Sequence, residues 1–290
     1  MTHPYWQTAH FRIDLSRPRI MGIVNATPDS FSDGGLRAGL RAQLAHCERL
    51  LGEGADILDI GGESTRPGSA PVPLDEELAR VLPLVREAVK LGAPVSVDTS
   101  KPGVMAAVLD AGADIINDIW AFSRAGETDT DPGALDVAAR HSACGLCVMH
   151  MHGEPRTMQV DPMAGDVVSA VLAFLRERRD ALMARGIARE RIVLDPGIGF
   201  GKTVAQNFAL LARQRELLAL GQPLLVGWSR KSALGAVLDE SRPAARDVPS
   251  TMAALLALER GARIVRVHDV AATAQAIKIW LAMSYEAIPL

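Results

Sequence analysis

The stretch PVSVDTSKPGVMAAVLDAGADIIND, residues 94–118, begins and ends with a short apolar run that closes on an acidic residue. The runs PVSVD and DIIND are continuously apolar rather than alternating in polarity, which is typical of parallel strands buried on both faces. The segment between them carries Val, Met, Ala and Leu at helical spacing. This stretch therefore predicts a strand–helix–strand unit, the repeating element of parallel α/β folds.

Six further apolar runs continue the same rhythm along the chain. They are RIMGIV (19–24), ADILDI (55–60), GLCVMH (145–150), RIVLD (191–195), PLLVG (223–227) and RIVRVH (263–268). Segments of helical period separate them, and several end in glycine, as helices often do. Eight strands with a helix after each predict an α/β fold of the (β/α)8 barrel type. An open doubly wound sheet shares this rhythm, but no glycine-rich dinucleotide turn follows the first strand.

The composition is that of an ordinary globular chain, with 290 residues, 48% hydrophobic residues and a net charge of -3. We expect one domain over residues 1–290, with a short N-terminal extension to about residue 18. The mildly acidic balance predicts no nucleic-acid partner, and no apolar run approaches the roughly 18 residues that span a bilayer. The N-terminus lacks the apolar stretch of a signal peptide, and three cysteines argue against a disulfide framework. The cytoplasm is therefore the expected location.

Polar residues gather where the predicted strands end. In chain order the ends read Asn25, DIGGESTRPG (59–68), Asp98, Asn117 with Asp118, MHMHGEP (149–155), DPGIGFGK (195–202), GWSRKS (227–232) and RVHD (266–269). In a barrel these ends meet on one face, where active sites form. A single Asp or Asn after a strand is often only the N-cap of the next helix. That interpretation does not suit eight successive ends, so the pattern predicts a functional site on this face.

Two motifs near these ends are excluded as functional signatures. GIGFGKT (197–203) resembles a phosphate-binding P-loop, but Pro196 stands where the motif requires its first glycine. CGLCVMHMH (144–152) has the spacing of soft metal ligands. However, Cys147 falls within the predicted strand and Cys144 at its approach, so we expect neither a zinc site nor a thioredoxin-like pair.

Two carboxylates, Asp98 and Asp195, end the strands PVSVD and RIVLD. A carboxylate at the mouth of an apolar barrel is costly unless it is paired, and Lys231 and Arg266 could balance these two. Together with Asn117, such groups suit a flat heterocycle that presents adjacent N–H donors and a carbonyl. A second basic residue, His268, stands beside Arg266, and such a pair suits a phosphate or diphosphate. A structural network of ion pairs is the alternative interpretation.

The ordered set of motifs resembles the dihydropteroate synthases of the bacterial folate pathway. It comprises MGIVNATPDSFSDGG, DIGGESTRPG, SVDTSKP, INDI, VMHMHGEPRTMQ, LDPGIGFGKT, GWSRKSALG and RVHDV, and extends from about residue 20 to the C-terminus. The resemblance implies that 6-hydroxymethyl-7,8-dihydropterin diphosphate condenses with 4-aminobenzoate, giving 7,8-dihydropteroate and diphosphate, with Mg2+. It also implies inhibition by sulfonamides and a homodimer formed through helices of the C-terminal half. The alternatives are a barrel resembling the corrinoid methyltransferases that bind methyltetrahydrofolate, and a non-catalytic pterin-binding homologue.

The resemblance implies a role for each residue that matches a family motif. The pterin would contact four residues, Asp98, Asn117, Asp195 and Lys231. The diphosphate would contact Asn25, Arg266 and His268, with Asn25 also a ligand of Mg2+. The 4-aminobenzoate site would comprise Thr65, Arg66, Pro67, Phe200 and Ser232. Catalysis would depend on Asp98, Lys231, Arg266 and Asp33. The polar loop NATPDSFSDGG (25–35) would close over the diphosphate as a lid that carries Asp33, with Phe31 over the aromatic co-substrate.

Overall fold

Parallel strands form the centre of the computed structural model, which describes residues 4–26 and 35–284. The strands of these residues are β1 (Tyr5–Gln7), β2 (Arg12–Asp14), β3 (Arg19–Asn25), β4 (Ile57–Gly61), β5 (Val95–Asp98), β6 (Ile115–Asp118), β7 (Gly145–Met149), β8 (Ile192–Asp195), β9 (Leu225–Val226) and β10 (Ile264–Val267). Strands β3 to β10 form one parallel sheet in the order β8-β7-β6-β5-β4-β3-β10-β9. A parallel bridge between Leu194 and Leu224 joins its two outer strands. The predicted (β/α)8 barrel is therefore confirmed.

Helices surround this barrel and connect its strands. Those of the described residues are α1 (Gly35–Glu53), α2 (Leu74–Ala88), α3 (Pro102–Asp110), α4 (Ala134–Arg140), α5 (Val167–Ala184), α6 (Val204–Ala212), α7 (Ser232–Leu238), α8 (Asp247–Glu259) and α9 (Val270–Ser284). Local sequence explains where several begin. Thr203 and Gln206 form a reciprocal capping box at the start of α6, and Pro102 occupies the first position of α3. None of these helices combines the length and apolar character needed to cross a membrane.

Inside the barrel, side chains alternate along each strand between the interior and the helices. In β4, Ile57 belongs to the interior apolar cluster, Leu58 to the cluster beneath the helices, and Asp59 to the interior again. The interior cluster contains the lower layer of strand residues, namely Met21, Ile57, Ile115, Cys147, Val193, Leu225 and Ile264. Two positions further along the same strands lies the upper layer, namely Ile23, Asp59, Asn117, Met149, Asp195, Gly227 and Arg266.

An antiparallel hairpin of β1 and β2 closes the lower end of the barrel. Trp6 of this hairpin is fully buried in the interior cluster, and its indole N–H donates to the backbone oxygen of Arg191 at 2.9 Å. Gly145 allows the close approach, because a Cβ there would lie 2.9 Å from the indole nitrogen of Trp6. The sequence predicts no strand before residue 19, since three-residue strands are too short to show a period.

The register of the parallel strands brings the predicted site residues to one level. Asn25 pairs with Gly61, Gly61 with Asp98, and Asp98 with Asn117 on successive strands. Because neighbouring strands lie about 4.8 Å apart, these residues line one rim of the barrel.

Candidate active site

A cavity of about 390 Å³ opens at the C-terminal ends of the strands. Every predicted site residue that the structure describes lines it, namely Asn25, Thr65, Arg66, Pro67, Asp98, Asn117, Asp195, Phe200, Lys231, Ser232, Arg266 and His268. Asp33 and Phe31 lie outside the described residues. Segments that are up to about 240 positions apart in the chain thus meet in one cavity, as expected for a barrel.

A buried hydrogen-bonded network forms the floor of the cavity. The Nε of Arg266 donates to Oδ2 of Asp59 at 2.6 Å, and its Nη2 donates to Oδ2 of Asp98 at 2.8 Å. The amide Nδ2 of Asn117 donates to the same oxygen of Asp59 at 3.2 Å. One fully buried carboxylate therefore orients two residues that line the cavity. The Oδ1 of Asp59 has no hydrogen-bond partner among the described residues.

Burial makes the two cavity carboxylates unusually basic. It raises the pKa of Asp98 to about 7, although Arg266 acts in the opposite direction. It raises the pKa of Asp195 to about 6, against a 2.7 Å hydrogen bond that the backbone N–H of Gly197 donates to Oδ1. A buried carboxylate with raised pKa gains most from a neighbouring positive charge or from N–H donors. The floor of this cavity is therefore suited to a ligand that supplies one or both.

Lys231 interacts electrostatically with Asp195 and Asp98, as predicted, but without a direct salt bridge. Its Nζ forms no salt bridge with Asp98 or Asp195 and instead lies 4.2 Å from the centroid of the Phe200 ring. Burial lowers the pKa of Lys231 to about 8, partly offset by Asp195. Of the two predicted cations, Arg266 alone pairs with Asp98, and Lys231 is held over an aromatic face, where a cation is attracted by the ring quadrupole.

His268 is present as a neutral ring rather than as a second cation. Burial, with Arg230 and Arg266 nearby, lowers its pKa to about 3. The backbone N–H of His268 donates to Oγ of Ser229 at 3.1 Å, and the same Oγ lies 2.8 Å from Nδ1. In the tautomer in which the Ser229 hydroxyl donates to Nδ1, the ring proton is on Nε2. In that tautomer His268 can donate one hydrogen bond from Nε2 to an anionic oxygen.

Apolar side chains form the opposite wall. Ile119, Met149, Met158 and Phe200 are buried in one small cluster, and all four line the cavity. Met149 occupies the inner position of β7 next to Asp195. A flat ring can thus pack on one side against sulfur and methyl groups while its edge meets polar groups. Sequence analysis assigned no function to these methionines.

A buried lysine, Lys202, holds the backbone of the glycine-rich segment after β8. The Nζ of Lys202 donates to the backbone oxygens of Gly197 and Phe200 at 2.8 and 3.0 Å. It also lies 2.9 Å from Nδ1 of His150. Gly197 has a φ of 67°, and a Cβ there would lie 1.8 Å from the backbone oxygen of His150. The spacing that resembles a P-loop therefore serves to position Phe200.

The N-cap interpretation is correct for Asp269, whereas Asp118 stabilises a turn, because the next helix, α4, begins only at Ala134. Asp118 accepts from the backbone N–H groups of Trp120 and Phe122 at 2.8 and 2.7 Å. Asp269 accepts from the backbone N–H of Ala272 at 3.0 Å in the first turn of α9. Neither residue lines the cavity. Polar strand ends thus divide into those that stabilise the local backbone and those that face the cavity.

Asp59 is the residue of this site that sequence analysis missed. It lies within the apolar run ADILDI, two positions before the glycine pair of the strand end. A carboxylate inside a run that is otherwise buried on both faces is the signal that points to it.

Known proteins are similar to this chain in sequence and in structure. The sequence profile of the family described as "Pterin binding enzyme" matches residues 21–268. The dihydropteroate synthase of Neisseria meningitidis serogroup C is 49% identical over 286 residues, which cover 98% of this chain and 99% of the relative. The structure is similar to that of Xanthomonas albilineans dihydropteroate synthase with 4-aminobenzoic acid, with a TM-score of 0.89, 47% identity and coverage of 99% of this chain and 100% of that one.

A second solved structure, that of Burkholderia cenocepacia dihydropteroate synthase complexed with 7,8-dihydropteroate, has a TM-score of 0.86 and 50% identity. The similarity covers 98% of both chains. Because the identity is this high over nearly the full length, the chain shares the fold of these enzymes, including the strands that carry the cavity residues. The chain therefore belongs to the dihydropteroate synthases, transferases of the pterin-binding enzyme family.

Proposed function

We propose that this chain joins 6-hydroxymethyl-7,8-dihydropterin diphosphate to 4-aminobenzoate, forming 7,8-dihydropteroate and releasing diphosphate. The observation that carries the proposal is the single cavity in which Asp98, Asn117 and Asp195 face Arg266 and Phe200. Its polar floor is complementary to a pterin edge, and its cationic side to a diphosphate.

The pterin is proposed to bind on the carboxylate floor. Asn117 uses Nδ2 to donate to Asp59, so its Oδ1 is left to accept from a ring N–H of the pterin. An ionised carboxylate accepts several hydrogen bonds, so Asp195 can accept from the pterin 2-amino group while keeping the bond from Gly197. The apolar wall that includes Met149 then packs against the ring face.

In the proposed reaction the bond between the pterin methylene carbon and the diphosphate oxygen breaks, and the electron pair leaves with the diphosphate. The carbon becomes cationic, and the charge spreads into the electron-rich ring. The carboxylates of Asp98 and Asp195 stabilise this cation, because fixed charges act strongly where water is excluded. Arg266 uses two of its five donors on Asp59 and Asp98, and the remaining donors, with Nε2–H of His268, are proposed to bind the departing diphosphate.

4-Aminobenzoate is proposed to bind between Phe200, Ser232 and the loop that carries Thr65, Arg66 and Pro67. Its amine is already nucleophilic, so attack on the cationic carbon needs no strong base, and the amine proton is released to solvent. Lys231 lies over the Phe200 ring and also interacts electrostatically with Asp195. Sulfonamides, which mimic 4-aminobenzoate, are proposed to compete for the same space.

Mg2+ fits the donors near the proposed diphosphate site. The ion prefers hard oxygen ligands, keeps several waters and is usually bound through one or two protein groups together with substrate phosphates. Asn25, an amide that lines the cavity on the Arg266 side, is such a group, whereas Asp33 of the predicted lid lies outside the described residues. Among the described residues no cluster of three His, Cys, Asp or Glu side chains could bind a metal without substrate. When bound, Mg2+ would neutralise charge on the leaving diphosphate.

The chain is further proposed to work as one domain in the cytoplasm and to form a homodimer. Four large apolar side chains are exposed on α8 and α9, namely Val248, Met252, Ile279 and Met283. An exposed apolar surface of this kind is typical of an interface. Sedimentation of the wild type and of Ile279→Glu, at a position that is 75% exposed, tests the dimer: we expect the variant to be monomeric.

The decisive experiment for the reaction is to incubate the pure protein with the pterin diphosphate, 4-aminobenzoate and Mg2+ and to identify the products by mass. Formation of dihydropteroate and diphosphate together supports the proposal. Pterin binding without product would instead favour a non-catalytic homologue. Methyl transfer from methyltetrahydrofolate to a corrinoid protein would favour the other alternative.

A further inference from the structure

An ionic cluster borders the cavity, which one of its members, Glu63, lines, and it takes no part in the chemistry proposed above. Lys101, at the N-cap of α3, is only 8% exposed, and its Nζ donates to a carboxylate oxygen of Glu63 and, at 2.5 Å, to Oε2 of Glu77. Glu77 lies in the first turn of α2 and is fully buried. Glu63 is the second residue of the loop that follows β4, so one ammonium group connects this loop to two helices.

The loop from Gly62 to Pro73 has no regular secondary structure and depends on such contacts for its position. The guanidinium of Arg80 donates to the backbone oxygen of Gly62 at 2.7 Å, and Oε1 of Glu63 accepts from the backbone N–H of Val72 at 3.2 Å. Glu63 therefore holds both ends of the loop while its other oxygen is bound to Lys101. The residues that follow it, Thr65 to Pro67, line the cavity.

The cluster has more negative than positive charge, which a contact that only stabilised the fold would not need. Two carboxylates share a single ammonium, and Oε1 of Glu77 has no hydrogen-bond partner among the described residues. An apolar contact of the same volume often stabilises a fold as well as a buried ion pair does. Charge-assisted hydrogen bonds add geometric specificity, because the Lys101 ammonium holds the carboxylates of Glu63 and Glu77 at fixed positions.

We propose that Lys101 is a positioning residue: by binding Glu63 and Glu77 it fixes the start of the loop that presents Thr65, Arg66 and Pro67 to the cavity. The inference rests on the proposed function, since it assigns this loop to the 4-aminobenzoate half of the reaction. The pterin floor is built from Asp98, Asp195 and Asn117, which lie at the ends of strands rather than in this loop.

The test is Lys101→Met, which keeps the length of the side chain and removes its charge. We expect the KM for 4-aminobenzoate to rise roughly tenfold or more, because a small misplacement of a binding loop has effects of this size or larger. The Kd of a sulfonamide for the protein loaded with pterin and diphosphate should rise by a similar factor. The Kd of the pterin diphosphate, measured by calorimetry without turnover, should change less than about threefold.

The matched control is Lys90→Met, which removes an exposed lysine that pairs with Glu87 beyond α2 and should leave all three constants unchanged. Lys101→Met leaves the buried carboxylate of Glu77 without a cation and can fail to fold. In that event the double variant Lys101→Met/Glu77→Met replaces the buried pair with apolar groups and still removes the partner of Glu63. It must raise the KM for 4-aminobenzoate while leaving the Kd of the pterin diphosphate nearly unchanged. A folded variant with an unchanged KM for 4-aminobenzoate, or with equal losses for both substrates, overturns the inference. A wild type that binds no pterin diphosphate would instead refute the proposed function.

Discussion

The lower and upper layers of the barrel interior come from the same strands, two residues apart, yet they differ in almost every physical property. The lower layer consists of apolar side chains sealed by Trp6. The upper layer contains Asp59, Asn117, Asp195 and Arg266, with Asp98 from the neighbouring strand. Burial of apolar surface stabilises the fold by about 25 cal/mol per Å2, whereas burial of a carboxylate opposes its ionisation. Burial of apolar side chains therefore stabilises the lower end of the barrel, whereas burial of carboxylates raises their pKa at the upper end and makes them chemically reactive.

The largest effect is expected in the upper layer. Asp98→Asn removes a charge that the proposed cationic transition state requires, and we expect kcat to fall by about 10²- to 10³-fold. The Kd of the pterin diphosphate should change much less, because the charge matters most when the carbon is cationic. Rapid-quench kinetics and calorimetry separate the two quantities. Equal losses in affinity and turnover would contradict the cationic mechanism.

A substitution in the lower layer should lower the stability of the protein and leave kcat nearly unchanged. Trp6→Ala removes the largest side chain of the interior cluster together with the hydrogen bond to Arg191, so the free energy of unfolding should fall by about 3 kcal/mol or more. Because the hairpin lies at the far end from the cavity, kcat of the folded variant should remain within about twofold of the wild type. Urea denaturation followed by fluorescence measures the first quantity. A fall in kcat as large as that of Asp98→Asn would show that the two ends are coupled.

Asp59 lies at the boundary between the two layers. Asp59→Asn places an amide where the Nε of Arg266 and the Nδ2 of Asn117 now donate, and we expect kcat/KM for the pterin diphosphate to fall by about 10- to 100-fold. The matched control is Asp114→Asn. Asp114 is also buried, but its side chain bonds, among the residues that the structure describes, only to the backbone of Val95 and to His10 at the lower end. That control should lose stability and keep its kcat. Similar kinetic losses in both variants would refute a specific role for Asp59.

The smallest effect is a dependence of stability on pH. Between pH 5 and 7 the unfolded Asp98, with an ordinary pKa of 3.8, is ionised, whereas in the folded protein the pKa is about 7. The folded state then binds more protons, so this residue lowers the free energy of unfolding as the pH rises. Relative to the wild type, Asp98→Asn should gain stability on the order of 1 kcal/mol from pH 5 to pH 7.

Urea denaturation at several pH values checks this dependence. Asp110→Asn, at an exposed carboxylate near the end of α3, is the control and should follow the wild type. Parallel pH profiles for Asp98→Asn and the wild type would mean that burial does not raise the pKa of Asp98.

Much of the fold was predictable because its signals are local. All eight barrel strands were identified from apolar runs, and their polar ends from residues such as Asp98 and Asn117. The hairpin that carries Trp6 was missed, since its strands are too short for a period and its burial depends on the barrel above it. Asp59 was missed for a related reason, because its partner Arg266 lies 207 positions away.

Sequence by itself therefore determined the order of strands and helices and the face on which polar residues collect, because hydrophobic period and turn chemistry operate over a few neighbouring residues. Tertiary structure alone decided which cation meets which carboxylate, that Lys231 lies over Phe200, and that His268 is neutral. Proton affinity and ion pairing depend on burial and on groups brought together from distant strands, and no local pattern records either.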